Sequence, residues 1–117
     1  MPNGPEYVLS ALKRIESASN KLGALGGLEP GWVQEAQERL AAVTATLRGL
    51  GDRFFLKTRV CLPFARKCDQ AAQALEDLLD DLPAADSRPT LTAALEALEK
   101  TARTLDERSM MEGMAIT

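Results

Sequence analysis

The residues able to do chemistry in this chain crowd into one stretch, Arg53 to Cys68. It holds both thiols, Cys61 and Cys68, five of the fourteen lysines and arginines, and all three phenylalanines, Phe54, Phe55 and Phe64. It contains no acid, although the chain as a whole carries a formal −3. A nucleophilic thiol or hydroxyl needs a base, and the chain has no histidine, so neither a Ser-His nor a Cys-His pair can form. The same absence removes phosphorelay histidines, Glu-x-x-His di-iron ligation and Cys-x-x-Cys-His haem attachment. Two cysteines leave a zinc ion two ligands short. On one continuous helix a seven-residue spacing sets the thiols about 10.5 Å apart along the axis, beyond the roughly 7 Å a disulfide tolerates. They read as small, reduced core side chains.

Two other clusters invite chemistry and yield none. Gly23-Ala-Leu-Gly26-Gly27 lacks the following Lys-Ser/Thr and any preceding strand of a phosphate loop, and reads as a helix terminator. Glu76, Asp77, Asp80 and Asp81 put like charges four residues apart at a helix C-terminus, which the helix dipole disfavours. Calcium or magnesium wants oxygens converging from a loop or several helices, so compensation by cations on neighbouring helices is the expected answer. The chain is accordingly expected to be no enzyme, with no catalytic residue, no metal ligand and no cofactor.

What remains for the 53–68 stretch is recognition. Projected as a helix, its apolar residues run almost all round, wider than the stripe of about 100° that a bundle buries. Interleaved cations would be buried with them. Aromatic and aliphatic anchors ringed by arginine are the composition of interaction hot spots. The expected partner-binding residues are Arg53, Phe55, Leu56, Lys57, Arg59, Val60, Leu62, Arg66 and Lys67, with at least two of Phe55, Leu56, Val60 and Leu62 exposed. The competing explanation is that a short extra segment or the C-terminal tail covers the excess while basic stems lie over it. The partner is another protein or a second copy of the chain, as for an adaptor, chaperone-like or regulatory subunit. A nucleic acid is the alternative, because residues 53–67 carry +5 against −8 elsewhere. The acidic whole argues mildly against it.

The elements that must position this stretch are helical. Ala, Leu, Glu, Arg and Lys dominate, and 117 residues make one domain spanning 1–117. Asn3 or Gly4 caps a first helix with Pro5 in its first turn and a stripe at Val8, Leu12, Ile15, Ala18, Leu22 and Leu25. Pro30 opens a second, striped at Val33, Ala36, Leu40, Val43, Leu47 and Leu50, with Asp52 as the next cap. Apolar spacing then runs through Phe54, Cys61, Ala65, Cys68, Ala72, Leu75, Leu79 and Leu82. The favoured description is one long third helix kinked at Pro63, with a break there as the alternative. The linker 83–89 leads to a last helix with Leu91, Leu95, Leu98, Ala102 and Leu105 inward. Residues 1–4 and 109–117 are expected to be flexible, the last helix fraying after Arg108. Short links between long amphipathic helices predict an all-α, antiparallel up-down four-helix bundle. No apolar run reaches membrane-span length and the first residues lack a secretory pattern, so a cytoplasmic protein without membrane contact is expected.

Overall fold

The computed structural model describes residues 3–25, 28–50, 54–81 and 88–116, with the backbone alone at 54–55 and 111–116. Four helices, α1 (Gly4–Ala24), α2 (Pro30–Gly49), α3 (Leu62–Asp81) and α4 (Arg88–Ile116), form a bundle. Two 3₁₀ turns, Phe54–Lys57 and Arg59–Cys61, lie between α2 and α3. Helix takes up 94% of the described residues, and none of them is in a strand. No helix among them is long and apolar enough to cross a membrane.

The starts follow the sequence. Asn3 caps α1, its side-chain oxygen accepting the Glu6 N–H at 2.9 Å. Such a cap is worth about 1 kcal/mol. Pro5 and Pro30 occupy first-turn positions, where a missing N–H costs nothing.

Buried positions step by four and three without a slip. They are Gly4, Val8, Ala11, Ile15, Ala18 and Leu22 on α1, and Ala36, Leu40, Val43 and Leu47 on α2. On α3 they are Ala65, Cys68, Ala72, Leu75 and Leu79, and on α4 Leu91, Leu95, Leu98, Ala102 and Leu105. That seven-residue repeat is the signature of knobs-into-holes packing in a left-handed bundle. It also corrects one expected core position. Ala11 turns inward and Leu12 is only half-buried, because the α1 seam against α3 takes a small residue every seventh place (Gly4, Ala11, Ala18). Cys61, Ala65, Cys68 and Ala72 answer from the other side, and α1 and α3 form the most extensive helix pair.

The helices run up, down, up, down in chain order, yet the closest pair is parallel. Arg14 of α1 meets Asp69 and Glu76 of α3, and Lys21 meets Glu76 and Asp80. Likewise Glu29 and Arg39 of α2 pair with Arg88 and Glu99 of α4. Around the bundle the order is therefore α1, α2, α4, α3, and the link from α2 to α3 crosses the end diagonally. At the other limit of the chain, Asn3 and Gly4, expected to be flexible, begin α1. The last helix does not fray after Arg108 but continues to Ile116, with Ser109 buried.

Candidate functional site

The diagonal link is the stretch that stood out in the sequence, and it is not a helix extension. The favoured long third helix is thus corrected to its alternative. The chain makes two 3₁₀ turns around an extended Thr58, and α3 begins at Leu62 with Pro63 in its first turn. Proline there sacrifices no intrahelical bond, whereas inside a helix it would cost about 3 kcal/mol. The first turn packs between α1 and α4 and closes the core. Leu50 and Leu56 are buried, and Cys61 Sγ lies 3.1 Å from the Thr58 carbonyl oxygen and 3.4 Å from that of Leu56. A single S–H proton can serve either carbonyl, which ties the thiol to the turn.

The nine expected partner-binding residues divide accordingly. Leu56, 2% exposed, is a core residue and not a surface anchor. It roots the link against the bundle end, as the competing explanation required. Val60 stands out at 58% exposed, and Leu62 is half-buried. Lys57, Arg59, Arg66 and Lys67 are exposed. Arg53 and the side chain of Phe55 lie outside the described residues.

Together these make a basic, partly apolar surface on one end of the molecule. A groove of about 620 Å³ opens there between the start of α1 (Asn3, Gly4, Pro5) and Leu56, Lys57, Thr58, Arg59 and Leu62. The α1 side of it was missed by sequence reasoning, since only the diagonal crossing brings residues 3–5 against residues 56–62. Arg108 of α4 adds another cation nearby, its guanidinium carbon 5.4 Å from the centre of the Phe64 ring. That distance is within reach of cation–π attraction.

The opposite end is acidic, and two of its four clustered acids, Glu76 and Asp80, are met by cations of α1. Lys21 Nζ lies 2.8 Å from Asp80 and 3.7 Å from Glu76, while Arg14 reaches Asp69 at 3.2 Å and Glu76 at 3.4 Å. The hydrogen bond with Asp80 raises the Lys21 pKa above its ordinary value. Because α1 runs parallel to α3, its cations sit beside the C-terminal acids, the sign both helix dipoles favour there. Among the described residues no group of three or more potential ligands is placed to hold a metal.

The thiols are free and buried. Burial pushes Cys68 up to about 11, with a side-chain hydrogen bond to Thr101 offsetting part of the rise, and burial raises Cys61 as well. A thiol held protonated is a poor nucleophile.

Two of the further grooves lie between α3 and α4 and between α1 and α2. The first, about 310 Å³, runs past Phe64, Lys67 and Thr104. The second, about 640 Å³, is flanked by Leu9, Lys13, Ala41 and Arg48. No protein-family model matches the chain, nor does any curated protein or solved structure.

Proposed function

We propose that this chain is a non-enzymatic interaction module, an adaptor or regulatory subunit, that docks an acidic segment of another protein on the end of the bundle formed by residues 57–67. One observation carries the reading. Val60 is exposed on the second turn of the link, next to Arg59, which with Lys57 lines an apolar-floored groove, while Leu56 and Cys61 root the two turns in the core. An anchor on a rooted turn loses little freedom on binding, and cations around it select an acidic partner. The absence of histidine supports a role without catalysis. Buried free thiols suit a reducing, cytoplasmic setting.

The test places a photo-crosslinking side chain at position 60, with one at Gln70 as control, in the native host. Capture of one protein from position 60 alone is expected. Purified, that protein should lose about 2 kcal/mol of binding to a Val60→Asp variant, roughly 30-fold in affinity. A Lys57→Glu/Arg59→Glu variant should slow association steeply at low salt. Equal capture from both positions would refute the reading. The run of cations without an acid favours a second reading, a nucleic-acid-associated factor. Nuclease-sensitive capture with a steep loss of affinity in salt, indifferent to Val60, would select it.

A further inference from the structure

The groove between α1 and α2 takes no part in the surface around Val60, and its residues are arranged self-complementarily. Its floor is apolar, with half-buried Leu12 above the core residues Ile15 and Leu40. Leu9 stands at its edge 55% exposed, a large apolar side chain that the bundle itself does not cover. Exposed Ala41 and Ala45 keep the α2 wall low.

The charges on this face follow one order. On α1, Lys13 and Glu16 flank a midpoint between Arg14 and Ile15. On α2, Arg48 lines the groove and exposed Glu38, which accepts from Gln34 at 3.4 Å, lies one turn before Ala41; the two flank a midpoint at Val43. Gln37 Nε2 donates to the Ser19 carbonyl at 2.9 Å, fixing the antiparallel register of the two helices. The same amide reaches Gly23, so Gln37 sits opposite residues 19–23 and the two midpoints fall within about two residues of the same height on the bundle. A two-fold axis at that height, lying in the face and perpendicular to the helices, sets α1 against α1 and α2 against α2 of a second copy.

Lys13 then opposes Glu16 of the second copy, and Arg48 opposes Glu38 of the second copy, each twice by symmetry. Ala41 opposes Ala45 of the second copy, so nothing bulky holds the α2 helices apart. Leu9 is carried over the far end of the opposite groove. The basic end of each copy also lies over the acidic end of the other. We infer that the chain forms an antiparallel homodimer through its α1–α2 face. Such an interface is isologous and closed, stopping at two copies, and it leaves both Val60 surfaces free at opposite ends.

Analytical ultracentrifugation of the whole chain at about 100 µM, a concentration that reveals even micromolar association, tests this. A dimer is expected. Leu9→Asp and, independently, Ala45→Glu, both at exposed positions, should weaken association about 30-fold with helicity and melting temperature unchanged. Arg48→Glu and Glu38→Arg should each weaken it severalfold at low salt. The double variant should recover to within about twofold of the parent, since charge swapping restores the pair. A monomer at every concentration would overturn the inference, as would a dimer indifferent to both Leu9→Asp and Ala45→Glu. So would a double variant no better than the singles, or association continuing past the dimer, which head-to-tail contact of the charged ends would produce.

Discussion

Gly4 at the start of α1 lies so close to Cys61 that a methyl group on it would overlap the thiol and come within 2.5 Å of the Leu56 carbonyl oxygen. The contact seats the diagonal link on the first turn of α1. Gly→Ala on a helix ordinarily stabilises by a few tenths to about 1 kcal/mol. Here Gly4→Ala should instead destabilise by about 1–3 kcal/mol, the cost of overpacking. Chemical denaturation measures the sign, and a gain in stability would mean that the link is not held as described.

Leu56 and Val60 sit four residues apart on the link and should behave oppositely. Leu56→Ala removes a buried side chain and should cost about 2–5 kcal/mol. Val60→Ala, at an exposed position, should stay within about 0.5 kcal/mol. Equal losses in thermal denaturation would show that Val60 also serves the core.

Arg14 bridges two carboxylates of α3 that are largely covered, Asp69 and Glu76, with 14% and 19% side-chain exposure. Arg14→Gln should cost about 1–2 kcal/mol, because it strands charge in a partly dry setting. In a double-mutant cycle with Asp69→Asn the coupling should be about 1 kcal/mol. Coupling near zero would class the pair with ordinary surface bridges.

Cys68 makes alkaline stability fall. The folded chain holds its proton up to about 11, the unfolded chain to an ordinary thiol value of 9.0. Its contribution is therefore whole below pH 9, is lost as pH climbs from 9 toward 11, and does not return above that. The loss is at most about 2–3 kcal/mol, at roughly 1.4 kcal/mol per pH unit. Urea denaturation at pH 8 and pH 10.5 checks it, with Cys68→Ala as the variant that should lose most of the slope. Lys21, whose pKa is also raised, adds to the decline in the same direction. A slope unchanged in Cys68→Ala would assign it to Cys61, the other thiol whose pKa burial raises.

Periodicity and capping are local properties, so the four helices, their proline starts and nearly all of the inward leucines were legible in the sequence. A leucine and an alanine one residue apart, Leu12 and Ala11, were not separable that way. Which of them faces inward depends on how closely α3 approaches, and only packed helices set that distance. The compensation of Glu76 and Asp80 was legible in kind, but not in its donors. Arg14 and Lys21 serve because α1 and α3 lie parallel, a consequence of the diagonal link. The excess apolar character of residues 53–62 was likewise plain in the sequence, and its meaning was not. A helical projection treats every residue as if it shared one axis, and the chain leaves that axis before Pro63. Tertiary structure alone decided that Leu56 turns into the bundle while Val60 turns out, because closing the open end of a four-helix core buries only the side chains that reach it.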